Sequence, residues 1–211
     1  MKTMKLIRLF LILLLPFFMN GQDLKELSYV GSIHEGYAPV KKNNQWGFID
    51  SSGELAVNFR SDLVENEKVS TGRDLGVATQ EVPRMQEDRA IIKKNIEGVN
   101  YYGFIDETGE VVIEPEFLNV SLFNDGKALA LKLEEEELGK NEVLGKRVIS
   151  YKYDVVFIDK DGEVLQYLSG PFPVSVSRRN LREAPPITAK ILSDNLISVR
   201  GPDKSWELFR H

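Results

Sequence analysis

The sequence predicts an all-β domain built from tandem antiparallel β-meander repeats. Two observations predict it. A Phe-Ile-Asp segment followed by a Gly-Glu pair recurs at a nearly constant spacing, and the residues around it alternate between apolar and polar without a convincing helical period. We expect an open array of hairpin units or a partly closed, propeller-like ring, since repeats of this kind form both arrangements.

The first 21 residues have the pattern of a secretory signal peptide. A basic start, residues 1–8, is followed by 11 apolar residues from Leu9 to Met19, well short of the roughly 20 that a membrane-spanning helix needs. We expect cleavage after the small Gly21. The alternative is an uncleaved membrane anchor, which Pro16 and Asn20 disfavour.

The predicted mature domain, residues 22–211, is acidic and contains no cysteine. Three of the 27 basic residues lie in the leader, which leaves 24 against 32 acidic residues and a net charge of −8. Such a charge is a poor match for nucleic acid. The absence of Cys excludes disulfides, thiol catalysis, zinc-thiolate sites and the acylated cysteine of a lipoprotein. We expect an exported periplasmic or extracellular protein that is not a lipoprotein, with no membrane span in the mature chain.

The repeat is visible in three segments, "WGFIDSSGELAV" from Trp46, "YGFIDETGEVVI" from Tyr102 and "VVFIDKDGEVLQ" from Val155. A fourth, partial copy is "WELFR" from Trp206. At intervals of 56, 53 and 51 residues, a common slot holds Phe48, Phe104, Phe157 and Leu208. The domain therefore contains about four units, of which the last is partial.

Each unit begins with a lead-in that predicts a strand entered from a turn. The lead-ins are "HEGYAPV", "EDRAIIK", "NDGKALAL" and "SDNLISV", in which small or acidic residues precede alternating apolar ones. We call this strand A. Strand B carries the aromatic pair and the Phe-Ile-Asp segment, and strand C follows a tight turn in sequences such as "ELAVNF". The three strands together predict an antiparallel meander.

Alternation along strand B predicts which side chains form the core. Trp46 and Phe48 should point to one face, and Gly47 and Ile49 to the other. Gly47 and Gly103 leave room for the close approach of a neighbouring strand or ring. The aromatic residues of these slots form the predicted repeat core: Trp46, Phe48, Tyr102, Phe104, Phe157 and Trp206.

The turn between strands B and C has the chemistry of a type I turn closed through a bulge. An aspartate can accept backbone N–H bonds at its start, and a glycine supplies the left-handed residue. The aspartates are Asp50, Asp106 and Asp159, and the glycines are Gly53, Gly109 and Gly162. We expect the glutamates that follow to lie in solvent: Glu54, Glu110 and Glu163.

These residues resemble the WG-repeat family, also called KWG repeats. Its units read roughly as an acidic-Gly-small lead-in, W-G-[FY]-I-D-x-x-G and an apolar strand ending near Ile-x-Pro. The match is best in "GYAPVKKNNQWGFIDSSGELAV" and "YYGFIDETGEVVIEPEF", where Ile113 and Pro115 also fit. The third unit lacks the Trp and the Gly of the name. The resemblance implies a β-rich scaffold or interaction module of bacterial proteins, without a defining catalytic constellation.

The two ends of the domain leave its closure open. The mature chain begins "LKELSYVGSI", which resembles "PEFLNVSLF" after strand C of unit two, whereas the end of the chain lacks such a piece. Either the N-terminal strand completes the last unit and closes a ring, or an open array has ragged ends.

The longest departure from the repeat is "KLEEEELGKNEVLGKRVISYKY", residues 132–153 in unit three. Ala128 and Phe157 are 29 residues apart, against 10 for Ala38 and Phe48. Alternation on both sides predicts two lengthened strands that project as a long hairpin. It is either a solvated hairpin whose glutamates, Glu134 to Glu137, resist edge aggregation, or a protruding contact arm.

Two further departures have loop composition. "SVSRRNLREAPPITAK" carries Arg178, Arg179 and Arg182, which form a candidate site for an anionic ligand or an acidic partner because Arg grips carboxylates and phosphates bidentately. The alternative is a solvated charged loop. "VENEKVSTGRDLGVATQEVPRMQ" carries no recognisable motif.

Enzyme chemistry finds little support in the sequence. The two histidines, His34 and His211, have no companion nucleophile in a known motif, and no G-x-S-x-G, P-loop or H-E-x-x-H spacing occurs. "DKDG" from Asp159 lacks the distal Glu of an EF-hand and occupies the turn slot. We predict a non-enzyme without a cofactor or metal.

Three functional hypotheses follow from these patterns. The leading one is an exported scaffold that binds a protein partner at the cell envelope, through a strand edge, the long hairpin or the Arg loop. The second is a glycan or small-ligand module, which requires exposed rings at Trp46, Tyr102 and Trp206. The third is a hydrolase using paired carboxylates that sequence alone does not place face to face.

Overall fold

The computed structural model describes residues 24–66, 75–140, 142, 145, 147–176, 181, 184–193, 195–200 and 205–210. The predicted leader lies outside these residues. The fold is all-β, which confirms the predicted class. The described residues contain strands and one 3-10 turn, at Val77–Thr79.

The described residues contain fourteen strands in four antiparallel sheets, none of which closes into a barrel. The first sheet contains, in order, β1 (Tyr29–Val30), β2 (Tyr37–Lys42), β3 (Gln45–Asp50) and β4 (Leu55–Arg60). The second contains β5 (Met85–Gln86), β6 (Arg89–Ile96), β7 (Val99–Ile105) and β8 (Val111–Phe117). The third contains β9 (Ala128–Lys140), β10 (Arg147–Ile158) and β11 (Val164–Val174). The fourth contains β12 (Ala189–Ser193), β13 (Leu196–Arg200) and β14 (Trp206–Arg210).

The predicted meander is present in the first three sheets, where strand B lies between strands A and C. In the first sheet, β3 pairs with β2 on one side and with β4 on the other. The β2–β3 connection is a two-residue turn at Asn43 and Asn44, with φ of 49° and 60°. Positive φ at both positions matches the twist of an antiparallel hairpin, and Asn tolerates it better than most residues do.

The core lies between consecutive sheets, and the aromatic side chains of strand B pack against the sheet that follows in sequence. Trp46, Phe48 and Val57 of the first sheet form one cluster with residues of the second sheet that include Ala90 and Ile105. Ile105 and Ile158 face the preceding sheet, while the phenylalanines before the isoleucines face the following sheet: Phe48, Phe104 and Phe157. This arrangement arises because successive side chains of strand B point to opposite faces of the sheet.

The next two interfaces repeat the arrangement. Between the second and third sheets, the buried side chains include Tyr102, Phe104, Ile113, Val156 and Ile158. Between the third and fourth sheets, they include Val155, Phe157, Leu168, Ile197 and Val199. Three similar apolar layers therefore hold four sheets in a stack.

The fourth sheet departs from the prediction. We predicted Trp206 as a core residue, but its exposed fraction is 42%, and that of Leu208 in the Phe slot is 66%. The equivalent Phe48 and Phe104 are fully buried. The forward face of the fourth sheet is open because no further sheet stacks on it within the described part of the chain.

The ring-closing alternative for the N-terminal strand is wrong. β1 pairs with β2 of its own sheet, with Val30 opposite Val40. In the second and third sheets, the segment that follows strand C of the preceding sheet takes this position, through bridges of Leu63 with Ile92 and of Val120 with Ala130. "LKELSYVGSI" resembles "PEFLNVSLF" because both segments line strand A of the sheet that follows them.

The tight turns have the predicted hydrogen bonds. Asp50 Oδ1 accepts the N–H groups of Ser52 and Glu54 at 2.8 and 3.0 Å. Asp106 and Asp159 accept the equivalent pairs in their own turns. The three turn glycines have φ between 81° and 88°, the left-handed region in which a Cβ is strained: Gly53, Gly109 and Gly162.

Candidate functional site

The predicted long hairpin is present and is the main departure from the repeat. β9 has 13 residues and β10 has 12, against 6 in each of β2 and β3. They pair from Ala128 opposite Ile158 to Lys140 opposite Arg147. Six or seven extra residues at about 3.3 Å each extend the hairpin by about 20 Å. We call residues 133–140 and 147–153 the arm.

The base of the arm is anchored by apolar packing. Leu133, Tyr153 and Phe172 are partly buried against the cluster between the third and fourth sheets. The rings of Tyr153 and Phe172 stack with their centroids 5.3 Å apart. Burial raises the pKa of the Tyr153 hydroxyl. These contacts fix the base of the arm to the third and fourth sheets.

The outer part of the arm is charged. Lys152 Nζ lies 2.6 Å from a carboxylate oxygen of Glu136, and Arg147 lies 3.5 Å from Glu137. The hydrogen bond to Glu136 and the negative charges of Glu136 and Glu134 raise the pKa of Lys152. Cross-strand pairs of this kind favour the register of the two strands.

The outer part of the arm is open at both strand edges within the described residues. β11 ends at Val174, opposite Tyr151, so residues 147–150 of β10 pair only with β9. On the other side, the preceding segment bonds β9 through Leu129 and Leu131, below the arm. Open edges are sites where another strand can add.

A groove lies where β11 parts from β10. It has a volume of about 490 Å³ and is lined by Ile149, Ser150, Tyr151, Pro173, Val174, Ser175 and Val176. The sequence analysis did not predict this feature, since it followed the repeat segment of the third unit only as far as Gln166. The alternation of Phe172 and Val174 is the signal that continues the strand. Leu138 and Val148 lie further out on the arm, 62% and 43% exposed.

Comparison with known families agrees with the repeat seen in the structure. A protein-family model described as WG containing repeat matches residues 25–46 and 102–133. The chain carries WG repeats. The first match runs through β1 and β2 to Trp46 at the start of β3, and the second runs from Tyr102 in β7 through β8 into β9. No curated protein and no solved structure matches the chain significantly.

Most of the remaining predicted site residues fall outside the part of the chain that the structure describes. Arg178, Arg179 and Arg182 lie outside the described residues, as does His211. His34 is exposed in the turn before β2. Within the described ranges, no three His, Asp or Glu side chains are placed to hold a metal ion, and no helix has the length and hydropathy of a membrane span.

The name-giving tryptophan is a packing residue in this WG-repeat protein. Trp46 is 4% exposed, and Tyr29 and Lys41 cover it, the Tyr29 ring at 5.2 Å and Lys41 Nζ at 4.9 Å from its ring. Burial raises the pKa of Glu65, but the hydrogen bond from Lys41 and the nearness of the Trp46 indole N–H outweigh it and lower the pKa. Nε1 itself has no acceptor in hydrogen-bonding geometry.

Proposed function

We propose that this WG-repeat protein is an exported, non-enzymatic scaffold that binds a protein partner at the cell envelope through the arm. One observation carries the proposal. A two-stranded extension leaves a regular stack of sheets with both strand edges open and with apolar side chains exposed near its end. The stack of sheets is the scaffold that the repeat produces, and the arm is the surface that departs from the repeat and contacts the partner.

The arm suits a protein better than a small molecule. An extended segment of a partner adds to an open strand edge through backbone hydrogen bonds, and the pockets beside that edge select alternate side chains. Residues 147–150 of β10 offer such an edge, and the adjoining groove offers a pocket for an apolar or aromatic side chain. Leu138 and Val148 add exposed apolar surface.

The glycan alternative has less support. It requires exposed rings at Trp46, Tyr102 and Trp206, whereas Trp46 and Tyr102 are only 4% and 6% exposed and Trp206 alone is accessible, at 42%. The Trp46 and Tyr102 rings belong to layers between consecutive sheets. A sugar ring needs an accessible aromatic face, so these two residues offer no platform.

The test places a photo-cross-linking amino acid at Leu138 of the tagged full chain in its native cells. The matched control carries the same group at Glu114, which is exposed on β8. We expect one cross-linked protein from the Leu138 position and none from the control. Equal labelling from both positions would contradict a role for the arm.

The captured protein is then purified and titrated against two forms of the chain. In the shortened form, Asn-Gly replaces residues 136–150, so that Glu135 and Tyr151 close a two-residue hairpin. We expect the dissociation constant to rise at least tenfold. Undiminished binding would reject the arm as the contact.

Export is tested separately by fractionation and by sequencing the mature N-terminus. The leader motivates the expectation that the mature chain begins at Gln22. An intact leader on cytoplasmic protein would overturn the exported part of the proposal while leaving the arm experiment valid.

A further inference from the structure

Within the described residues, the fourth sheet contains no counterpart of the strand C found in the other three sheets. β3, β7 and β10 each lie between a strand A and a strand C. β14, which carries the same slot residues, pairs with β13 and forms the edge of its sheet in the described part of the chain. Its outer side corresponds to the position that β4, β8 and β11 fill in the other sheets.

The same strand exposes the side chains that are buried elsewhere in the stack. Leu208 occupies the slot of Phe48 and Phe104 but is 66% exposed, and Trp206 is 42% exposed. Phe209, on the opposite face of β14, is partly buried against the cluster between the third and fourth sheets and lies opposite Ile197. The outward face of β14 therefore exposes two large apolar side chains, while Phe209 packs on the other face.

We propose that the open edge of β14 binds an extended strand of another protein, added antiparallel in the place of strand C. This surface is separate from the arm. The three complete sheets show that strand B accepts a strand at this edge, since β3, β7 and β10 all do so. Strand addition at an exposed edge is a common mode of peptide recognition.

The native strands C define the chemistry of the ligand. β4 places Val57 opposite Phe48, and β8 places Ile113 opposite Phe104. β8 also places Phe117 opposite Tyr102, the slot equivalent to Trp206. The other two sheets differ in part, since β4 places Arg60 opposite Trp46 and β11 places Gln166 opposite Phe157. A ligand that follows β8 should therefore carry a β-branched residue opposite Leu208 and a large apolar residue four positions later.

Charge adds a further preference. The strand C sequence "EVVIEPEF" intersperses glutamates with its apolar residues, and Glu110, Glu114 and Glu116 are exposed in the second sheet. Arg210 is exposed at the end of β14. Glu110 pairs with Asp106 in the second sheet, which is the position of Arg210 in the fourth. An acidic residue at the start of the ligand therefore suits the fourth sheet, because opposite charges on neighbouring strands attract.

The probe is the synthetic peptide EVVIEPEF, the chain's own residues 110–117. The chain has two tryptophans, so Trp46→Phe leaves Trp206 as the sole indole reporter. We expect saturable binding with a blue shift of Trp206 emission and weaker acrylamide quenching, because the added strand covers the ring. A peptide with serine at the positions of Ile113 and Phe117 should bind at least tenfold more weakly.

The decisive variant is Leu208→Asp, whose exposed position lets the domain keep its fold, as a thermal melt would show. We expect it to weaken peptide binding at least tenfold. Leu165→Asp, at a similarly exposed site on β11, is the matched control and should leave binding unchanged. Anisotropy of a fluorescein-labelled peptide gives the same comparison in the native chain if Trp46→Phe impairs folding.

Three results would overturn the inference. They are the absence of saturable binding, equal affinity for the serine peptide, and equal affinity of the Leu208→Asp variant. Sedimentation provides a further check, since self-association abolished by Leu208→Asp would assign the edge to a second copy of the chain. The arm-shortened form should still bind the peptide, so this experiment and that on the arm fail independently.

Discussion

At the scale of single residues, the phenylalanines of the Phe-Ile-Asp segments are among the most deeply buried side chains. Phe48 and Phe104 are fully buried and Phe157 is 6% exposed. Phe104 also meets Phe123 edge-on, with ring centroids 4.8 Å apart. Close-packed interiors cannot fill the space that a lost ring leaves, so each slot should be sensitive to truncation.

Replacing Phe104 with Ala should lower the free energy of unfolding by about 3–5 kcal/mol, since the ring is lost from a fully packed layer. Glu110→Ala, at an exposed position in the following turn, should change it by less than about 0.5 kcal/mol. Urea denaturation of both variants measures the difference. Equal losses would contradict the facing of strand B.

Asp106 should make stability depend on acid pH. Burial raises its pKa, but hydrogen bonds from the Thr108 hydroxyl and from backbone N–H groups outweigh this, and the folded pKa lies below the ordinary 3.8. A lowered folded pKa contributes stability that is present above 3.8 and lost as the pH falls through the folded value. Asp106→Asn keeps an acceptor oxygen without the charge.

We therefore expect the Asn variant to lose less stability than the native chain between neutral pH and about pH 3. Thermal melts across that range test the prediction. Parallel pH profiles for the two proteins would show that this carboxylate does not contribute.

At the scale of elements, the arm depends on the stack, whereas the stack does not depend on the arm. Leu133, Tyr153 and Phe172 pack at the base, but the outer residues mostly face solvent, including Glu134 to Lys140. An extension of this kind adds little buried area and many charged side chains. Its removal should therefore have a small effect on folding.

The form in which Asn-Gly replaces residues 136–150 should melt within about 3 °C of the native chain, since the apolar base is retained and Asn-Gly favours the required turn. Differential scanning calorimetry measures this directly. A fall of more than about 10 °C would mean that the arm is part of the cooperative core.

At the scale of the whole molecule, the sheets are joined by more than apolar layers. Glu35 accepts the N–H of Glu87 from the next sheet. Glu87 in turn accepts the N–H groups of Asp125 and Gly126 in the third unit, Gly126 at 2.8 Å. These residues occupy equivalent turns before strand A, where Glu35, Glu87 and Asp125 all have positive φ. A chain of carboxylate bonds thus links three units along one side.

Glu87→Ala should destabilise the domain by about 1–2 kcal/mol, because two backbone N–H groups lose a charged acceptor. Glu114→Ala, at an exposed position on β8, is the control and should be nearly neutral. Chemical denaturation of the pair tests the link. A neutral Glu87→Ala would leave the apolar layers as the main connection between sheets.

The sequence pattern predicted the repeated unit because the strands and turns of the unit are determined by residues that are close in sequence. Alternation along strand B set the facing of Trp46 and Phe48, and the Asp-to-Gly spacing set the turns. The lengthened hairpin followed from the same alternation. Trp206 was predicted wrongly, since its slot is identical in strand position to that of Trp46. Its exposure depends on whether another sheet covers it, and no feature of "WELFR" encodes that.

The chain's own chemistry thus determined the all-β class, the meander, the turns and the arm, since each rests on contacts between residues close in sequence. The tertiary structure alone decided the order of the stack, the place of β1 beside β2, the groove under the arm and the open edge of β14. These features depend on which sheet covers which face. Apolar burial is non-directional, so many stacking orders satisfy one pattern of alternation, and only the assembled layers distinguish them.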